Sequence, residues 1–421
     1  MTQSSAHRTI DAIWRIESPK LIAGLTRMVR DVGLAEDLAQ DALVIALEKW
    51  PLSGIPDNPG AWLMTTAKRR AIDLLRRTKV QDRKYAEMAQ SMDLYTEEDL
   101  NSALDGEIGD DLLRLIFMTC HPVLSQEARV ALTLRLLCGL TTDEIARSFL
   151  SAESTVAQRI VRAKKTLSAK KIPFEVPAGE ALKERLSAVL EVIYLMFNEG
   201  YSATSGEDWI RPLLCREALR LGRVLAEIAP GEGEVHGLVA LMEIQSSRFR
   251  TRIGAAGEPV LLMDQNRAQW DRLLIRRGLA ALERSRKLGR PLGPYALQAA
   301  ISACHAEAIS PAETDWIRIA AFYEALSRAA PSPIVELNRA VAIAMAFGPA
   351  FGLQMVDELS GEPALEGYHL LPSVRGDLLV KLGRLEEARA EFERAASMTR
   401  NARERDLLLN RAAECRTDAA E

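Results

Sequence analysis

The stretch Leu140-Thr-Thr-Asp-Glu-Ile-Ala-Arg-Ser-Phe-Leu-Ser-Ala-Glu-Ser-Thr-Val-Ala-Gln-Arg-Ile-Val-Arg-Ala-Lys-Lys-Thr-Leu167 predicts two short helices meeting near Ser151. Thr141 followed three residues later by Glu144 is a capping box, in which each side chain satisfies a free backbone N–H at the helix start. Ile145, Ala146 and Phe149 supply the first helix with an apolar stripe. In the second, at 100° per residue, Val156, Ile160, Ala163 and Leu167 fall on one face, and Thr155, Gln158, Arg162 and Thr166 fall roughly opposite, with Arg159 on the flank. One face packs and the other is free, the form of a helix-turn-helix.

Arg, Gln and Thr are side chains that can hydrogen-bond base edges in a major groove, and Lys164, Lys165, Lys170 and Lys171 extend the helix as a basic, phosphate-facing tail. A solvated face on an ordinary helical pair is the plainer alternative. Charge distribution bears on the choice. The chain of 421 residues has a net charge of −4, but residues 108–172 hold 10 basic and 6 acidic groups, while residues 79–107 hold 3 basic and 8 acidic. The positive charge therefore sits with the helix pair. Its small size implies few phosphate contacts and a need for a partner that holds the chain on DNA.

Working toward the N-terminus, Ile13, Ile16, Leu21, Leu25 and Met28 mark a first helix ending near Gly33. From Ala35 to Trp50 a second helix is expected to bury Leu38, Ala42, Ile45 and Trp50, leaving Glu36, Asp37, Gln40 and Asp41 as an exposed acidic turn. That turn can dock on a basic partner or complement the helix dipole. Pro51 to Pro59 reads as a loop, and Gly60-Ala-Trp62 opens a third helix. There Trp62, Leu63, Ala67, Ile72 and Leu75 interleave with Lys68, Arg69, Arg70, Arg76 and Arg77. A basic surface with an aromatic residue near its start suits unstacked single-stranded DNA, although Trp62 can equally be core. Residues 81–107 have the composition of an acidic flexible linker.

Glu36-Asp-Leu-Ala-Gln-Asp41, Trp62-Leu63, Ala67-Lys-Arg69 and Ile72-Asp-Leu-Leu-Arg-Arg77 resemble region 2 of bacterial RNA polymerase sigma factors of the extracytoplasmic-function type. Cys138-Gly-Leu140, Asp143-Glu-Ile-Ala146, Thr155-Val156, Arg159, Arg162-Ala163 and Leu167 resemble region 4 of the same family, in the right order. Arg69 departs from the pattern, since members often carry Asn there. The resemblance implies an alternative sigma factor that binds core RNA polymerase and directs promoter-specific initiation. Asp37, Gln40 and Asp41 would meet the β′ clamp helices, with further contact to the β subunit. Asp57, Asn58, Trp62, Lys68, Arg69, Arg70, Arg76 and Arg77 would open and capture the −10 element of promoter DNA. Ser154, Thr155, Gln158, Arg159, Arg162 and Lys165 would read the −35 element.

Residues 173–421 carry helical patterns at 182–197, 212–228, 235–251, 266–288, 294–308, 314–329, 334–345 and 376–398. In the last, Leu382-Gly383, Ala388, Phe392 and Ala395 match a tetratricopeptide hairpin, and Gly348 precedes Gly383 by 35 residues. Tyr194 to Tyr201, Leu262 to Arg267 with Trp270-Asp271, Gly293-Pro-Tyr295 with Leu297 to Ile301, and Leu337 to Ala342 resemble the C-terminal extension of a sigma-factor subgroup with a tetratricopeptide-like domain. Asn198, Asp264, Asn266 and Arg267 either line a site for a peptide, protein partner or small ligand, or cap and cross-link helices.

The expected fold is thus all-α. It comprises a region 2-like domain (1–80), the linker (81–107), a helix-turn-helix domain (108–172) and a helical-hairpin repeat domain (173–421). No run of about eighteen apolar residues and no secretory signal appears, which points to the cytoplasm and no membrane. Five scattered cysteines form no metal or disulfide framework, and the adjacent Cys120-His121 cannot face one site on a helix. With no phosphate loop or nucleophile motif, no catalytic residue, cofactor or metal is expected, and the chain does not read as an enzyme. The competing reading is a polymerase-independent helix-turn-helix regulator that senses a ligand or partner through its repeats.

Overall fold

The structure, a computed structural model, describes residues 3–86, 108–149, 151–177, 179–203, 205–206, 209–254, 257–288 and 291–417. It divides into two compact units, Met1–Val192 and Ile193–Glu421, both built from helices.

In the first unit, α1 (Gln3–Val29) and α2 (Val32–Ser53) are joined by Arg30 and Asp31, and the Asp31 carboxylate caps α2 by accepting from the Leu34 N–H at 2.9 Å. The row Ala35, Ala39, Ala42 and Ala46 lets α1 and α3 (Pro59–Ala86) approach α2 closely, so that Leu21, Ile22, Leu25, Leu63 and Ala67 are buried against it. Ile16, expected in this core, is 63% exposed, because position 16 lies about 140° around the helix from Leu21. Helix α2 runs through Pro51 to Ser53 before Gly54, so the loop begins later than its first proline suggests. Helix α3 continues to Ala86, past the expected start of the linker at residue 81; residues 87–107 of that linker lie outside the described residues.

Helices α4 (Ile108–Thr119), α5 (Gln126–Leu137), α6 (Thr142–Ser148) and α7 (Glu153–Ala169) follow in this unit, with the break at Pro122 between α4 and α5. The capping box forms as its spacing requires: Glu144 Oε2 accepts from the Thr141 N–H at 2.8 Å, and Thr141 Oγ1 accepts from the Glu144 N–H at 3.2 Å.

The boundary between the units falls within α8 (Gly179–Tyr201). The second unit continues with α9 (Pro212–Ile228), α10 (Gly233–Ser246), α11 (Arg272–Lys287), α12 (Pro294–Glu307), α13 (Trp316–Ala329), α14 (Pro333–Phe347), α15 (Pro349–Leu359), α16 (Leu370–Lys381), α17 (Leu385–Met398) and α18 (Ala402–Thr417). Helix α10 stops before residue 251, where the chain turns through a short 3-10 element, Phe249–Thr251. Helix α11 starts only at Arg272, because Asn266 caps a 3-10 turn and Asp271 then caps α11 through the N–H groups of Leu273 and Leu274. Gly348 (φ 118) and Gly383 (φ 72) make the turns of two successive hairpins, α14–α15 and α16–α17, in backbone conformations that favour glycine. Ser205–Gly206 and Arg400–Asn401 form a two-residue parallel ladder, which buries Asn401 and sets its side-chain N–H on the Ala203 carbonyl at 3.0 Å.

Candidate nucleic-acid interface

Helix α7 sorts its residues as its periodicity demands. Val156, Ile160, Ala163 and Leu167 are buried, while Ser154, Thr155, Gln158, Arg162 and Lys165 are exposed and Arg159 is half-buried. Thr155, Gln158, Arg159 and Arg162 border a groove whose other wall is the start of α5, with Ser125 and Glu127. Thr166 is half-buried and turns its hydroxyl back to the Arg162 carbonyl at 2.9 Å, which leaves the arginine side chain as the outward group.

On α3, Asn58 caps the helix by accepting from the Ala61 N–H at 3.0 Å, and Asp57 beside it is exposed. Trp62 combines its two readings. It is half-buried, with its ring edge-on to buried Trp50 at 5.2 Å between centroids, and part of its surface remains open. Arg69, Arg70 and Arg76 are exposed and Lys68 is half-buried; Arg77 lies on α3, but its side chain is outside the described residues. Arg70 forms an ion pair with Asp41, so a residue of the acidic turn and one of the basic helix are held together.

The acidic turn itself differs from expectation. Asp37 and Asp41 are exposed, but Glu36 is 3% exposed. Glu36 accepts from Arg135 Nε at 2.6 Å, from Lys164 Nζ at 2.7 Å and from Gln40 Nε2 at 2.7 Å. Burial by itself would raise the carboxyl pKa; the Arg135 and Lys164 charges, and the hydrogen bonds they donate, outweigh it and hold Glu36 below the usual carboxylate value. Lys164 therefore leaves the phosphate-facing tail to which its sequence position assigned it, and binds α2. Ser168 reinforces the contact by donating to Asp31 at 2.9 Å, and Arg27 of α1 pairs with buried Asp111 of α4 at 3.1 Å. One sequence signal was available for Glu36, which lies about 40° from Val32 on the buried face of α2 rather than with Asp37 and Asp41. Its partners, 99 and 128 residues away, carried none.

This arrangement, with a reading face on α7 and a basic, Trp-bearing α3, coincides with two sigma-factor models: Sigma-70 region 2 matches residues 14–80 and Sigma-70 region 4 matches residues 114–167. The ferric citrate uptake sigma factor FecI of Escherichia coli (strain K12) is 30% identical over 160 residues, covering 38% of this chain and 89% of that protein. The chain belongs to the extracytoplasmic-function sigma factors. It directs transcription as an alternative sigma factor, binding core RNA polymerase and promoter DNA. The probable ECF RNA polymerase sigma factor SigI of Mycobacterium tuberculosis (strain ATCC 25618 / H37Rv) is 28% identical over 176 residues, 42% of this chain and 60% of that one. The extension is shared with an uncharacterized protein, R00370 of Rhizobium meliloti (strain 1021), 44% identical over 391 residues that cover 92% of this sigma factor and 91% of that protein. Residues 185–286 match a family of unknown function (DUF6596), and no solved structure matches the chain. Among the described residues of the sigma factor, no helix is long and apolar enough to cross a membrane, and no group of three or more His, Cys, Asp and Glu could hold a metal ion.

Proposed function

We propose that this sigma factor holds the β′ clamp helices of core polymerase through Asp37, Gln40 and Asp41, with further contact to the β subunit. The residues from Asp57 to Arg77 on and before α3 capture the −10 element, and Ser154, Thr155, Gln158, Arg159, Arg162 and Lys165 on α7 read the −35 element. All of this takes place in the cytoplasm, by binding rather than catalysis, and the C-terminal helical unit regulates it through a protein or peptide partner. The observation that carries the reading is the division of α7: four apolar residues are buried, and hydrogen-bonding side chains suited to base edges are left outward.

The reading has a geometric consequence. Elements centred at −10 and −35 are about 25 base pairs apart, and at about 3.4 Å per base pair that is about 85 Å of duplex. Here α2 and α7 are in direct contact through Glu36, Lys164, Asp31 and Ser168. A chain that reads both elements at once must part them, so the ion pairs at Glu36 act as a clasp on the unbound state.

The test is charge reversal at Asp37 and Asp41, both exposed on α2. Asp37→Lys with Asp41→Lys abolishes co-purification with core polymerase while the helical circular dichroism spectrum and melting temperature stay close to wild type. Undiminished co-purification would refute the docking assignment.

A further inference from the structure

Three of the polar and aromatic stretches of the second unit, far apart in sequence, converge in the fold. The Tyr194 ring packs on that of Tyr295 at 5.2 Å and its hydroxyl donates to Gln298 at 2.9 Å, while Phe197 stacks on Tyr201 at 5.7 Å. Beside them, three guanidinium groups alternate with aromatic rings. Arg252 lies over Tyr201 at 3.6 Å and near Trp209 at 5.6 Å. Arg248 lies 5.6 Å from the same Tyr201 ring and 5.7 Å from Trp270, and Arg267 lies 5.4 Å from Trp270 on its own account.

Among the described residues, the acceptors of these groups are neutral. Arg252 donates to the Tyr201 carbonyl, and Arg248 donates to the Tyr201 hydroxyl and to Gln245 Oε1. Arg267 donates to the carbonyls of His305 and Ala308 at 3.0 and 3.2 Å and to Thr314 Oγ1 at 2.9 Å. Among the described residues no carboxylate forms an ion pair with any of the three. The acidic group that Arg267 does feel, Glu313, is exposed and accepts from Ser310 at 3.0 Å. Arg252 and Arg267 are buried, and the Nε groups of Arg248 and Arg267 are enclosed with no acceptor. His305 adds no further positive charge, since burial first, then Arg248 and Arg267, push its pKa down to about 3 and keep it neutral.

Arg267 cross-links the turn after α12 and has a structural task. Arg252 ties its turn to the end of α8 through the Tyr201 carbonyl, and Arg248 bonds Tyr201 and Gln245, but none of these bonds requires two like charges on one tyrosine ring, and enclosed positive groups at this density are costly without an anion. Guanidinium groups with unused N–H donors in a sheltered setting are suited to oxyanions, which they bind through paired hydrogen bonds.

We propose that Arg248 and Arg252, backed by Arg267, form a binding site for a small oxyanion, a phosphate or carboxylate group, through which the C-terminal unit takes an acidic small-molecule ligand. The site goes beyond the sigma-factor reading and does not depend on it.

The experiment titrates the full chain with inorganic phosphate, with citrate and with chloride at matched ionic strength, following melting temperature and tryptophan fluorescence, to which Trp209 and Trp270 beside the arginines contribute. The expected result is a saturable rise in melting temperature and a fluorescence change with phosphate or citrate beyond that of chloride, and the anion that acts identifies the ligand chemistry. Arg248→Gln, at a half-buried position, and Arg252→Lys, which keeps the charge but loses the planar fork, each weaken binding by about tenfold or more. Should either variant not fold, ligand-dependent protection of residues 245–252 from hydrogen exchange in the wild type locates the site. No response beyond chloride, unchanged affinity in the folded variants, or protection elsewhere would overturn the proposal.

Discussion

At Glu36, two opposing electrostatic effects meet on one carboxylate. Enclosure favours the neutral form, and the nearby Arg135 and Lys164 favour the ion and prevail, so the folded pKa lies below the unfolded one. The sign of the linkage follows: the stabilisation is fully present above the unfolded carboxylate range and is lost as pH falls through the lowered folded value. Glu36→Gln keeps the volume but leaves Arg135 and Lys164 without their counter-charge. It should cost about 1.5–3 kcal/mol in denaturant unfolding of the full chain, the usual worth of a hydrogen bond to a charged group, and enlarge the radius of gyration at neutral pH. An unchanged radius would show that the clasp does not hold α7 on α2. A second residue-scale prediction concerns promoter reading. Arg162→Ala should weaken −35 recognition by about 1–3 kcal/mol if the guanidinium meets a base edge, measured as the loss of holoenzyme affinity for promoter duplex; equal affinity would remove Arg162 from the reading face. The exposure of Asp37, Asp41, Thr155, Gln158 and Arg162 follows from their places on a helical wheel. The burial of Glu36 is also legible from its angle to Val32, but its pairing with Arg135 and Lys164 is not, because those partners lie 99 and 128 residues away, beyond what local periodicity encodes.

At the scale of elements, sequence is most legible where a local rule suffices. The capping box before α6 and the apolar stripe of α7 are each settled within one or two turns of chain, and both form as their spacing predicts. The hairpin α16–α17 is similar. Ala388, Phe392 and Ala395 are fully buried, and a Cβ at Gly376 would lie 2.8 Å from the Phe392 ring. Phe392→Ala should therefore destabilise this unit by about 3–5 kcal/mol. Gly376→Ala should cost about 1–3 kcal/mol by overpacking, both read by denaturant unfolding, and a neutral Gly376→Ala would mean that the helices separate without strain. Helix ends are less legible. Pro51 marked a loop too early because proline can sit in the last turn of α2, and the 3-10 turns around Phe249 and Arg267 extend a helical pattern without being helix.

At the scale of the whole molecule, the all-α architecture and the order of the two sigma regions were open to reading because each rests on contiguous motifs. The clasp and the convergence of Arg248, Arg252 and Arg267 were not, since both gather residues separated along the chain and single out no short motif. The modest positive charge of residues 108–172 fits a protein that reads DNA while polymerase holds it in place. The measurement that tests the central claim most directly is run-off transcription from genomic DNA fragments with purified core polymerase, with and without the full chain. The account predicts promoter-specific transcripts only when both are present, and their loss with Asp37→Lys and Asp41→Lys. Transcripts unchanged by the chain, together with footprinting of duplex DNA by the chain alone, would contradict it.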